Sequence, residues 1–192
     1  MDRIAGRIAV VQGAPSAVVQ ALFRGLVARW RPQLRIAGVI EARDGPKEGR
    51  TCRAGDLESI ADGVRYPMFE RLPPGATVCD VTDEKVTRAC AAVLEDIARG
   101  CDLVVLSKFG KLEAEGGGLM AAFRAAAAAG IPLLTCASPA ACEGWDGLLA
   151  PSAVVLPAEA GALDRWLAAA LGRGGVPASA AKPPGDGRAA RL

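Results

Sequence analysis

The chain reads as a three-layer α/β fold: a mostly parallel sheet with helices on both faces, plus a small hairpin insertion. Three observations predict it. Short apolar, β-branched runs alternate with stretches of helical periodicity along most of the 192 residues. The runs carry few polar side chains, as strands covered on both faces do. A polar, Gly-rich stretch at about 41–82 is too long for a simple connection and contains Asp62-Gly63 between β-prone runs, a hairpin signal.

Each element follows in turn. "GRIAVVQG" (6–13) is a buried strand closed by glycine. Ser16 stands where a cap is expected, and Val19, Leu22, Phe23, Leu26 and Trp30 follow at helical spacing until Pro32. "LRIAGVIE" (34–41) is the second strand, and "TCRAGDLESIADGVRYPMFE" supplies two short strands about Asp62-Gly63. "DEKVTRACAAVLEDIARG" (83–100) is a helix ended by Gly100, and "CDLVVLS" is the third main strand. "GGLMAAFRAAAAAG" (117–130) reads as an alanine-rich helix with Gly130 past its end. "IPLLTCA" and "AVVLPA" are further strands, and "EAGALDRWLAAALG" closes the fold. Residues 1–171 therefore form one expected domain, and 172–192, rich in Pro, Gly and Ala, an expected disordered tail.

Composition narrows the function. The formal charge of +2 mixes both signs, so no global field favours nucleic acid or an anionic membrane. No apolar run approaches the roughly 20 residues of a membrane span. The first residues lack the apolar stretch of a signal peptide, so the expected location is cytoplasmic. There is no histidine, which removes Ser-His and Cys-His nucleophile pairs. The six cysteines, Cys52, Cys79, Cys90, Cys101, Cys136 and Cys142, form no C-x-x-C pair and give little reason to expect zinc. Cys90 and Cys101 read as small buried hydrophobes; Cys52 and Cys79 are the candidates for a redox or metal role.

In such sheets ligands sit at the carboxyl ends of the strands, here Gln12-Gly13, Ile40-Glu41, Ser107-Lys108 and Cys136-Ala137. After the first strand, a phosphate-binding P-loop requires G-x-x-x-x-G-K-[ST]. The chain offers "GAPSAVVQ" (13–20): Gly13 matches, while Val18, Val19 and Gln20 stand in the places of glycine, lysine and Ser/Thr. What survives is a glycine turn onto a helix N-terminus, which suits an anion. A plain strand-to-helix turn is the alternative.

The third strand runs into "SKFGKLEAEGGGL" (107–119). A nucleotide hydrolase places a magnesium-holding acid at this strand end. Here Ser107 and Lys108 stand instead, followed by Lys111, Glu113 and Glu115. The lysines could replace the missing P-loop lysine toward an anion, and Glu113 could orient a water or a metal. A solvated, mutually paired helix start fits the same residues.

"LVVLSKFGKLEAEGGGL" resembles the signature "NKFGK-x-EAEG-x-GL" of a bacterial domain-of-unknown-function family, number 2478, associated with molybdenum transport and metabolism genes. The likeness extends over roughly residues 7 to 158. "AGVIE" is similar to the family's "GVVQ" strand, "CRAGDLESIADGVRY" to its cysteine-led hairpin and "GATVCDVTD" to its "C-x-L-D" segment. The family resembles P-loop nucleoside triphosphatases whose second strand motif reads "DE-x-GK-x-E". On that alignment Gly110, Lys111 and Glu113 match, whereas Ser107 and Lys108 replace the two acids. The chain departs from the family at Ser107, usually asparagine, Glu41, usually glutamine, and Thr82, usually aspartate.

The resemblance implies a P-loop-like module that binds a nucleotide or small oxyanion, ATP or GTP with magnesium or molybdate, without efficient turnover. Gly13, Ser16, Lys108, Gly110 and Lys111 would bind the ligand, and Glu113 would hold a water or a metal. The alternatives are a slow nucleoside triphosphatase using Glu113, and a non-catalytic scaffold for a partner protein.

Overall fold

Successive residues of a strand point to opposite faces of its sheet, and the first strand shows why both faces had to be covered. In the computed structural model Ile8 and Val10 enter one apolar cluster while Ala9 and Val11 enter another. The structure describes residues 6–42, 56–68, 83–137 and 153–172. Within them lie strands β1 (Ile8–Gln12), β2 (Ile36–Ala42), β3 (Asp56–Ser59), β4 (Arg65–Tyr66), β5 (Leu103–Leu106), β6 (Leu133–Cys136) and β7 (Ala153–Pro157). The helices are α1 (Ser16–Trp30), α2 (Asp83–Ala98), the single turn α3 (Lys111–Ala114), α4 (Met120–Ala128) and α5 (Ala160–Ala170).

The strands form one sheet in the order β4-β3-β2-β5-β6-β1-β7. The five strands from β2 to β7 run parallel, and β3 and β4 add an antiparallel edge. Helices α1 and α5 bury Phe23, Leu26, Trp30, Leu163 and Leu167 on one face. Helices α2 and α4 bury Val86, Val93, Phe123 and Ala126 on the other. This is the α/β architecture that the alternating pattern predicts. Asp164, buried in α5, accepts the Trp30 indole N–H at 2.8 Å and pairs with Arg29 at 3.0 Å, which joins the two helices of one layer.

The hairpin forms where the Asp-Gly signal put it. Leu57 faces Tyr66 and Glu58 faces Arg65, and Gly63 turns the chain at φ +77°. Asp62 closes the turn by accepting Val64 N–H at 3.0 Å, and its pKa is lowered by the Ser59 hydroxyl first and by that bond second. The long alanine-rich helix is a correction: α4 starts at Met120, three residues late, because Gly117 and Gly118 belong to a turn that follows α3. The tail from 173 onward, Cys52, Cys79, Thr82 and Cys142 lie outside the described residues.

Gly38 is the tightest point of the sheet. Its φ is +124°, and a Cβ there would stand 1.9 Å from the Val105 carbonyl oxygen of the neighbouring strand. Backbone cannot retreat from such a contact without breaking the β2–β5 ladder. Gly38→Ala is therefore expected to destabilise the protein by about 3 kcal/mol, the upper end for overpacking a core, read as a lower denaturation midpoint. A midpoint equal to wild type would show that the sheet absorbs the methyl group.

Candidate functional site at the carboxyl edge of the sheet

Helix α1 is apolar on most of its length, yet it carries Ser16, Gln20 and Arg24 at four-residue spacing, hence on one face. All three reach the end of β2. The Ser16 hydroxyl donates to Glu41 Oε2 at 3.1 Å, the Glu41 backbone N–H donates to Gln20 Oε1 at 3.0 Å, and Arg24 donates to the Glu41 carbonyl. Gln20 is fully buried and also donates its amide to the Ser107 carbonyl at the end of β5, at 2.7 Å. The last registered pair of the β2–β5 ladder is Val39 with Leu106. Beyond it the two strands part, and the Gln20 amide fills the gap between them.

The neighbouring strand end joins the same network. The Cys136 thiol donates to the Ser107 carbonyl at 3.1 Å and lies 3.9 Å from the Gln20 amide nitrogen. Cys136 stands beside Val11 in the β6–β1 ladder, so this cluster adjoins Gln12-Gly13. Gly13 turns the chain at φ +86° with open space around the position a Cβ would take. The expected Ser16 cap is a correction: Pro15 occupies the N-cap with ψ 146°, and no side chain caps the helix. Its carbonyl accepts Val18 and Val19 N–H, which leaves the Ser16 hydroxyl for Glu41.

Lys108 is held in place by its neighbours. On one side Ser107 sits in the amide network; on the other, Phe109 is buried, packs edge-on against Phe123 at 5.4 Å and donates its N–H to the Cys136 carbonyl at 2.8 Å. Lys108 itself is exposed, and its charge reaches the Cys136 thiol. Burial pushes that thiol up to about 11, while the Lys108 ammonium pulls it down and the Glu41 carboxylate pushes it up. Cys136 is thus a neutral hydrogen-bond donor near neutral pH.

Glu113 is buried, and the structure gives it a framing use. Its Oε2 accepts Gly110 N–H at 2.9 Å and its Oε1 accepts Leu119 N–H at 3.0 Å. The carboxylate thereby closes the loop 110–119 on itself. A Cβ on Gly118, which has φ +57°, would stand 2.3 Å from Glu113 Oε1. Lys111 is exposed and lies 3.7 Å from Glu115, a contact between two solvated side chains. The structure therefore brings Gly13, Ser16 and Lys108 to one edge with Gln20, Glu41 and Cys136. It makes Gly110 and Glu113 parts of the loop frame beside that edge.

Residues 8–166 match the family described as "Protein of unknown function (DUF2478)". The chain belongs to this family. The loop geometry gives a reason for the signature by which the chain resembles the family: Gly110, Glu113, Gly118 and Leu119 are the partners of one carboxylate clamp. The chain is also 31% identical over 133 residues to "Molybdenum import ATP-binding protein ModC 2" of Bradyrhizobium diazoefficiens. That alignment spans 69% of this chain and 15% of the relative's length. No solved structure matches the chain.

The residues at this edge do not fit a P-loop magnesium ion. Val19, in the lysine's place, is buried, and Gln20, in the hydroxyl's place, is bonded to two strand ends. Ser107 and Lys108 stand where an acid would bind the metal, and among the described residues no group of three or more His, Cys, Asp or Glu could hold one. No helix among the described residues is long and apolar enough to cross a membrane.

Replacing Gln20 by Leu removes the partner of the buried Glu41 N–H and one donor to Ser107. Gln20→Leu is expected to cost about 2 kcal/mol, as orphaned buried backbone groups do, measured by chemical denaturation. A cost below about 0.5 kcal/mol would mean that water replaces the amide. The Cys136 thiol also sets a pH dependence. A pKa raised by folding contributes stability that is present at lower pH and lost as pH rises. Stability should fall between about pH 8.5, where an unfolded thiol ionises, and about 11. In Cys136→Ala the same titration of melting temperature should be shallower; identical slopes would assign the loss elsewhere.

Proposed function

We propose that the carboxyl edge of the sheet, from the Gly13 turn to Lys108, binds a small anion: a nucleotide phosphate or an oxyanion such as molybdate, without efficient turnover. One observation carries the reading. Lys108 is exposed at the end of β5, and the adjacent Ser107 carbonyl accepts the thiol of Cys136, which pairs with Val11 just before the turn from β1 into α1. An exposed cation on the same sheet edge as a glycine turn and a helix N-terminus suits a phosphate or a related tetrahedral anion. The similarity to a protein described as a molybdenum import ATP-binding protein makes ATP and molybdate the first ligands to try.

Low turnover follows from the substitutions. Phosphoryl transfer depends on charge neutralisation by a loop lysine and a metal, and neither has its usual residues here. Glu113 would have to release one or both backbone amides before it could act on water. In this reading Lys108 neutralises the anion, the backbone around Gly13 and Ser16 supplies N–H donors, and the Glu41–Gln20 network keeps the strand ends apart. Lys111 is a peripheral charge whose contribution is smaller.

Thermal unfolding with ATP, GTP, phosphate, molybdate and tungstate, each with and without magnesium, tests the reading. A true ligand at about a hundred times its Kd adds about 2.7 kcal/mol, a rise of roughly 5 °C or more for a chain of this size. The rise should persist in EDTA. Lys108→Ala should weaken binding about tenfold, the loss of one charge-assisted hydrogen bond, with the unliganded melting temperature unchanged. No shift with any of the five anions would sink the proposal.

A further inference from the structure

A second recess lies away from the Gly13 turn, between α1 and the hairpin. Its volume is about 330 Å³, within the lower part of the range of small-molecule pockets. Val27, Ile40 and Ile60 make an apolar floor, each less than a tenth exposed. Arg24 and Arg31 stand along one wall, seven residues apart on the helix and therefore about 10 Å apart along its axis.

Each exposed guanidinium is held by one backbone carbonyl, and among the described residues neither sits in an ion pair. Arg24 donates to the Glu41 carbonyl, and Arg31 donates to the Ala61 carbonyl at 2.9 Å. Each guanidinium has five N–H donors, so most remain. Among the described residues neither arginine has a carboxylate partner. Two carboxylates, Glu58 and Asp62, also line the recess, and each has a partner of its own on the hairpin. Glu58 pairs with Arg65 at 3.3 Å, and Asp62 accepts the Val64 N–H inside the hairpin turn.

We propose that this recess binds a small organic anion with an apolar body, the carboxylate, sulfonate or phosphate group on an arginine and the body on the Val27–Ile40–Ile60 floor. Planar, pre-oriented guanidinium groups recognise such oxyanions through paired N–H donors. Backbone carbonyls that fix the side chains reduce the entropy lost on binding. The apolar floor adds affinity for a ligand with an apolar body that inorganic phosphate and molybdate cannot gain. The recess is therefore distinct in chemistry from the Lys108 edge. The two meet at Glu41, whose side chain faces Ser16 and whose carbonyl holds Arg24.

The probe is anilinonaphthalene sulfonate, an aromatic anion whose fluorescence rises on burial, with the uncharged phenylnaphthylamine as its control. Saturable one-to-one binding of the sulfonate is expected, with at least tenfold weaker binding of the neutral amine. Arg31→Gln should weaken the sulfonate roughly tenfold, one charge-assisted contact, without lowering the melting temperature. Arg24→Lys keeps the charge and should weaken it less than Arg24→Gln, which separates ligand contact from the loss of the Glu41 bond. Unsaturable binding, equal affinity for the neutral amine, or wild-type affinity in both glutamine variants would overturn the proposal.

Discussion

A single buried amide determines how the carboxyl edge of this sheet is built. Parallel strands cannot stay paired to their last residue when the chain must leave in different directions, so backbone groups are orphaned where they part. Here the orphans are the Glu41 N–H and the Ser107 carbonyl, and Gln20 satisfies both with one side chain. In an apolar interior that arrangement is worth more than its bonds alone, since either group left unpaired carries a desolvation cost. It ties α1, the ends of β2 and β5 and Cys136 into one network.

The same reasoning explains the loop after β5. The backbone of Lys108 lies between a residue in the amide network and a phenylalanine in the core, while its side chain is exposed. The Glu113 clamp then fixes the next ten residues by accepting backbone N–H groups at both ends of the loop. A carboxylate folded back over a turn leaves no room for a side chain at Gly118, and a glycine there is a steric requirement. The family signature thus has an architectural basis that stands whether or not any bond is broken at this edge.

Substitution at the P-loop places has a structural counterpart as well. A lysine at position 19 would sit where Val19 is buried between α1 and the sheet, and a short hydroxyl at position 20 could not span the gap that Gln20 fills. The chain keeps the strand, the glycine turn and the helix of a phosphate-binding unit. The polar face of the helix joins strand ends. Polar side chains at 16, 20 and 24 are the visible trace of that change.

The sequence by itself determined the layers, the hairpin and the identity of the strand ends. Those features rest on local periodicity, on Asp62-Gly63 and on glycine punctuation, all of which act within a few residues. Lys108 was legible as an exposed cation at a strand end for the same reason. Glu113 was legible as unusual but not as a clamp, because its two partners lie three residues back and six ahead in a turn that only folding defines. Gln20 and Arg24 were missed, although their four-residue spacing from Ser16 could have flagged a polar stripe on an apolar helix. What that stripe touches depends on β2 and β5 lying side by side, far apart in the chain as they are. Long-range packing decided the candidate site, since only there do backbone groups from separate strands meet one buried amide.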